Sequence, residues 1–334
     1  MQIGSTRRTR MVAILLFMLL LAASLSSLYI GARDISLAHI LQSFISFDET
    51  RVDDIVIQTL RWPRLLAALI VGISFAVSGA LMQGVTNNPM ASPSILGING
   101  GASFGLAVAM IVMPQASLTM TIVFAFLGAA LATGVILVLA KKVGGRATPV
   151  YMALAGTAIG AVFLAVTHML VVFFSVAQDL SYWTAGGISG IRMAQVSFVA
   201  PWTLIGCSLA IAVSKQVTLL SFGQELAIGL GGNLNRIRLV SGLAVLILSG
   251  SAVAIAGPIG FVGLVVPHIV RRLVGIDYRR VLPFSALLGA TLVVLADVFG
   301  RLVHPPYETP LGAITALIGV PFFIYLARRG GGRS

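Results

Sequence analysis

Two arginines, Arg61 and Arg64, stand around Pro63 at the head of the apolar run RWPRLLAALIVGISFAVSGALMQG, residues 61–84. Residues three apart share one face of a helix. Each guanidinium is a planar fork of donors that can hold a carboxylate through two parallel hydrogen bonds. The chemistry on offer is recognition of acidic groups. Anchoring at a lipid interface is the plainer alternative, and the intervening Trp62 suits it. Asp297 is the clearest acid inside an apolar run, and His168 lies inside another. Such groups are functional candidates by default in a membrane. One acid and one distant histidine are thin support for a proton relay, so each reads as a satisfied polar contact.

Other chemistries lack their residues. The three lysines, Lys141, Lys142 and Lys215, all lie outside any glycine-rich phosphate loop of the Walker A kind. No HExxH pair is present, and no nucleophile stands with an evident base. Cys207 is the only cysteine, which excludes a disulfide framework and a cysteine metal site. No cofactor and no metal site is implied. The chain reads as a pathway without an engine. Either solute flows down a gradient, or another subunit supplies energy.

The elements that must position these residues are membrane helices. The chain is 58% hydrophobic and 10% charged, with a mean hydropathy of +1.02. Soluble domains carry about 25% charged residues. A bilayer demands such a composition, because spanning helices face hydrocarbon. The net charge of +12 is spread in short clusters between apolar runs, which argues for membrane orientation and against nucleic acid.

Ten apolar stretches are expected, at 11–30, 62–83, 94–113, 118–140, 149–174, 196–213, 239–257, 258–275, 281–302 and 309–327. The last break but two rests on Gly257-Pro258, since 239–275 is too long for one crossing of a core about 30 Å thick. The first stretch lacks a convincing cleavage site and is read as a retained helix. An even number of crossings puts both termini on one side. With cytoplasmic termini, 16 of the 22 Lys and Arg residues fall inside, as the positive-inside rule requires. The six outer ones include Arg61, Arg64 and Arg301.

The chain is thus an all-α, polytopic bundle and one membrane domain over 1–334. Two segments outside the spans are long. Residues 31–61 lie outside and hold a short interfacial helix, from the three- and four-residue spacing of apolar side chains in ISLAHILQSFI. Residues 214–238 lie inside. Small residues recur every four positions, at Gly72, Ala76, Ala80 and Gly84, at Gly97, Gly101 and Gly105, and at Ala153, Thr157, Ala161 and Ala165. Such stripes let helices approach closely, either as static packing or as a sliding or passage-lining face.

Five stretches in order carry a resemblance: RWPRLLAALIVGISFAVSGALMQG, VTNNPMASPSILGINGGASFG, VAIAGPIGFVGLVVPHIVRRLVGIDYRRVLPFSALLGA, LADVFGRLV and ETPLGAITALIGVPFF. Together they resemble the FecCD-type permeases of ABC importers for iron–siderophore, haem and cobalamin uptake, over nearly the whole chain. The resemblance implies the type II ABC permease fold in a prokaryotic cytoplasmic (inner) membrane. It implies a second permease subunit, identical or paralogous, with the passage between the two. It further implies two ATPase subunits and an extracytoplasmic substrate-binding protein, so that this chain has no ATPase site of its own.

By the same resemblance, Arg61, Arg64 and Arg301 dock glutamates of the binding protein; Trp62 departs from the more usual leucine. SFGQELAIGLGGNLNRIR resembles the coupling segment, with Glu225, Leu226, Gly229, Leu230 and Gly231 meeting an ATPase through a sharp turn between two short helices. Asn88 and Met90 of NNPM stand where the family has an inner gate. NPMASPSILGING and YWTAGGISG look most like siderophore permeases. Ferric iron prefers oxygen ligands, which a chelator already supplies, so the permease need not ligate it. Asn99, Ser103, Thr157 and Thr167 are candidate lining groups. Haem or cobalamin cargo is the alternative within the family. An ion-gradient-driven secondary transporter is the alternative from another class.

Overall fold

The computed structural model describes residues 6–31, 35–142, 149–176, 180, 183–303 and 307–330. Among them the regular elements are all helical. In chain order they are α1 (Thr6–Tyr29), α2 (Leu37–Ile45), α3 (Val52–Val56), α4 (Trp62–Thr86), α5 (Ile98–Val112), α6 (Leu118–Lys142) and α7 (Pro149–Phe174). Then follow α8 (Met193–Leu220), α9 (Gln224–Gly229), α10 (Leu234–Ala256), α11 (Val262–Val274), α12 (Tyr278–Val303) and α13 (Leu311–Gly330).

Each of the ten apolar stretches coincides with a helix. Seven helices among the described residues are long and apolar enough to cross a membrane: α1, α4, α6, α7, α8, α10 and α12. At 1.5 Å per residue, α5 reaches only about 22 Å and α11 about 20 Å, short of a core about 30 Å thick.

The break expected at Gly257-Pro258 is present, and it lies inside the bundle. Gly257 and Phe261 both take left-handed backbone, at φ 69° and 67°. The new helix begins beside Gly79, deep in α4, where an added Cβ would run into the Gly263 carbonyl. So the helix of 258–275 is short and starts within the bundle. The space above the break is filled by the chain around 183–190. The Gly187 N–H bonds the Ala256 carbonyl at 2.8 Å, and the Leu311 N–H bonds the Gly186 carbonyl at 3.0 Å.

α4 is the axis of the fold and the most buried of the crossing helices. Its small residues let neighbours come close. A Cβ at Gly72 would collide with the Gly289 carbonyl of α12, and α5 meets α6 in the same way where Gly101 and Gly105 face Gly128. These stripes are helix crossings. The α7 stripe behaves differently. Gly160 packs on Gly97 of the α5 entry, whereas Thr157, Ala161 and Ala165 lie on an exposed face. Ala153's side chain lies outside the described residues. α7 is the least buried of the crossing helices.

The segment 31–61 contains a short helix, α2, where the interfacial helix is expected. Ser36 caps it by accepting the His39 N–H. Leu41, Phe44 and Ile45 on α2 are exposed. The segment then differs from expectation, because α3 runs unbroken through a π-helical turn, Ile57–Arg61, into α4.

Candidate functional site: an arginine–carboxylate cluster where α4 begins

The π turn decides where Arg61 goes. The Trp62 N–H reaches back to the Ile57 carbonyl, which adds a residue to the turn and rotates the chain. Arg61 thereby points at the end of α1 and donates to the Leu28 and Tyr29 carbonyls at 2.5 and 2.8 Å. The last carbonyls of a helix lack intrahelical donors, and a cation there also meets the negative end of the helix dipole. Arg61 is only 6% exposed.

Arg301 serves the same helix end. It donates to the Ser27 and Ile30 carbonyls at 3.0 and 2.8 Å and to the Ser27 hydroxyl at 2.8 Å. Its Nη2 also meets Asp297, one turn earlier on α12, at 2.9 Å. Asp297 is 3% exposed and holds Arg64 bidentately, with Nε and Nη2 at 2.8–3.1 Å. It is the satisfied polar contact expected, and its partners are two of the three arginines. His168 lies exposed on α7.

Arg64 has one edge left, and Glu308 takes it at 2.5 Å through Nη1. Glu308 stands on the short connection between α12 and α13 and also bonds Ser189. Burial alone would raise its carboxyl pKa. The bonds from Arg64 and Ser189, with the charges of Arg64 and Arg301, outweigh burial and hold it below the usual range. Arg64, Asp297 and Glu308 form part of the wall of a cavity of about 1020 Å³, which Ala254 and Ile255 of α10 and Gly186–Ile191 also line.

The other expected residues lie elsewhere. At the far end of α4, about 37 Å away at helical rise, Asn87 ends the helix in left-handed backbone and donates to the Leu220 carbonyl at 3.0 Å. Asn88 accepts the Met90 N–H at 2.9 Å, an Asx turn, and Met90 is exposed. Beyond α8, Glu225, Leu226 and Gly229 form α9, and Leu226, Ile228 and Leu230 are exposed on it. Gly231, at φ 82°, bonds the Ile228 carbonyl, and Gly232 bonds the Ala227 carbonyl. This is a Schellman ending, and it needs glycine at Gly231. The turn joins one short helix to α10, not two short helices. Asn233 starts α10 at once by capping Arg236 N–H, which leaves no room for a second.

The four lining candidates do not converge within this chain. Ser103 and Thr167 are buried, the latter bonding Phe163 on its own helix. Asn99 borders a cavity of about 20 Å³. Thr157 is exposed on α7.

Two arrangements escaped the sequence reading. Glu308 was legible only as a residue of ETPLG, with nothing local to pair it to Arg64. Gln83 was a polar residue in an apolar run, which is the one signal that marks it. It is 3% exposed, donates to the Gly263 and Leu264 carbonyls at 3.2 Å each, and accepts from Arg271 at 2.5 Å.

Fold and cluster together define a multi-pass helical membrane protein with a charged mouth beside a cavity of small-molecule size. The model of the FecCD transport family matches residues 18–329, and the chain belongs to that family. It is 45% identical over 319 residues to the Fe(3+)-citrate import system permease protein YfmD of Bacillus subtilis, covering 96% of this chain and 94% of that one. It is 44% identical over 311 residues to the Iron(3+)-hydroxamate import system permease protein FhuB of the same organism, covering 93% and 81%. Among solved structures, one described as an inward-facing metal-chelate type ABC transporter superposes with a TM-score of 0.84 at 28% identity, over 96% of this chain and 99% of that one.

Proposed function

We propose that this chain is the permease subunit of an ABC importer for Fe(III)–siderophore complexes, taking cargo from a binding protein and driven by separate ATPase subunits. The observation that carries the reading is the likeness, over nearly the full length, to permeases named for iron(3+)-hydroxamate and Fe(3+)-citrate import. The chain itself has no Walker A loop. The two ends of α4 supply what the reading needs. Of the arginine cluster expected to dock the binding protein, Arg64 is the member turned to the cavity and meets that protein, while Arg61 and Arg301 stand behind, holding the end of α1. The exposed apolar side of α9 faces the cytoplasm and meets an ATPase, with Glu225 and the Gly229–Gly231 turn setting its angle. Asn88 and Met90 lie at the inner mouth.

Both termini are then cytoplasmic, in the cell membrane of a prokaryote. The exposed face of α7 carries Thr157 and His168 among large apolar residues. Polar groups there suit a second permease subunit and a passage between the two better than lipid. Asn99, Ser103 and Thr167 belong to that passage only after a rearrangement of α5 and α7.

The test is reconstitution in liposomes with the ATPase and binding protein, and uptake of radioactive iron as hydroxamate, citrate and catecholate chelates. ATP-dependent uptake of one of them is expected. Transport of haem or cobalamin instead would change the cargo. Uptake by this chain alone under an ion gradient would overturn the importer reading.

A further inference from the structure

Arg61 and Arg301 spend donors on the end of α1, and Asp297 occupies two nitrogens of Arg64. Arg64 lines the cavity, and its Nη1 edge is filled from within the chain by Glu308, which also lines it. The Glu308 side chain is 37% exposed, against 3% for Asp297. Of the two carboxylates on Arg64, one is therefore locked and the other stands at the surface. Glu308 begins a strap that is tied just beyond it. The Thr309 N–H bonds the Gly300 carbonyl at 3.1 Å, and the Leu311 N–H bonds the Gly186 carbonyl at 3.0 Å. Gly186 lies against the Pro258 carbonyl at the α10–α11 break.

We infer that Glu308 is a built-in stand-in for an acidic side chain of the binding protein, and that docking exchanges one carboxylate for the other on the Nη1 edge of Arg64. This rests on the docking role proposed above and adds its exchange step. Before docking, Glu308 keeps Arg64 paired and its guanidinium aimed at the mouth. On docking, the incoming carboxylate takes the Nη1 edge, Glu308 turns to water, and the strap 307–311 is released from α4. The strap then transmits the event through Gly186 to the break beneath it. Exchange of like for like costs little, so docking is fast to reverse, as delivery requires. Asp297 stays on Arg64 throughout, and the Nη1 edge is never left without an acceptor.

The experiment measures binding-protein affinity for the assembled transporter in nanodiscs, by surface binding, for wild type, Glu308→Gln, Ser189→Ala and Arg64→Gln. Glu308→Gln keeps side-chain length and a hydrogen bond to Ser189 while removing the competing charge. It is expected to tighten binding on the order of tenfold, as for one charge-assisted hydrogen bond no longer displaced. Ser189→Ala, which loosens Glu308 without removing it, tightens binding by less and serves where Glu308→Gln does not assemble with the ATPase. Arg64→Gln weakens binding. Unchanged or weaker binding in both the Glu308 and Ser189 variants, with Arg64→Gln still weakening it, overturns the exchange and leaves docking standing. Unchanged binding in Arg64→Gln overturns the docking role itself.

Discussion

Replacing Gln83 by leucine removes three hydrogen bonds from one buried spot and adds no bulk. The reason for the glutamine lies in α11. Pro267 stands inside that helix and has no N–H, so the Gly263 carbonyl, four residues earlier, loses its intrahelical partner. The Gln83 amide fills the gap at 3.2 Å and shares itself with the Leu264 carbonyl, while its oxygen accepts from Arg271 at 2.5 Å. In Gln83→Leu the Gly263 carbonyl is buried without a partner, a loss of about 1–3 kcal/mol, and Arg271 forfeits a charge-assisted bond worth about 1.5–3 kcal/mol. The middle of that range is about 4 kcal/mol. For a domain of 150–250 residues each kcal/mol shifts the melting point by about 2–4 °C, and less for a longer chain, so a drop of about 6 °C is expected.

The assay is thermal melting of the purified protein in detergent, followed by tryptophan fluorescence from Trp62, Trp183 and Trp202. The partner variant makes it specific. Pro267→Ala restores an N–H to the Gly263 carbonyl, so Gln83→Leu made in that background should cost about 1–2 kcal/mol less, the share of the orphaned carbonyl. A drop under 1 °C for Gln83→Leu refutes the bond inventory. An equal drop with and without Pro267 refutes the claim that the glutamine substitutes for the proline's missing donor.

Asp297→Asn keeps the shape at the outer cluster and leaves Arg64 and Arg301 without their shared charge. Breaking a buried pair costs about 3–5 kcal/mol, and Glu308 and the α1 carbonyls offset part of it. A melting point lowered by several degrees is expected, and no change would mean the cluster is solvated. Gly231→Val forces a branched residue into left-handed backbone at a surface position with open space around it. Substrate-stimulated ATP hydrolysis should fall several-fold with the melting point nearly unchanged; equal stimulation would place coupling elsewhere. Glu308 has a folded pKa lowered by Arg64 and Ser189. Its contribution is therefore complete above the unfolded value of about 4.3 and lost as pH falls through the lower folded value. The melting-point gap between wild type and Glu308→Gln should stay constant from neutral pH to about 5 and close only below about 4.3; closure near neutral pH would contradict the lowered pKa.

The helices were legible because their causes are local. Apolar runs, Pro63 at the head of α4 and Asn87 at its foot mark themselves in the chain. What the sequence hid was distance. Arg64 and Asp297 are 233 positions apart, and Gln83 and Arg271 are 188 apart. No periodicity links such pairs. Spacing alone was even misleading at Arg61. Three residues from Arg64 on an α-helix would put both on one docking face. The π turn instead sends Arg61 to the α1 carbonyls, and only the backbone bond from Trp62 to Ile57 reveals it.

The same distances explain why α4 is the axis. At one end Arg64 joins it to α12 through Asp297 and to the α13 entry through Glu308. At the other end Gln83 joins it to α11, and Gly84 lies against Tyr278 at the start of α12. α12 is thus held at both ends by one helix, with Gly72 and Gly289 touching between. The strap carrying Glu308, and α11 with its Pro267, are joined to this pair by polar contacts. Both adjoin the break at 257–261, the former through Gly186 and the latter directly. In the importer proposed above, the exchange at Glu308 would have a short route to the far end of the bundle that does not require α4 or α12 to deform.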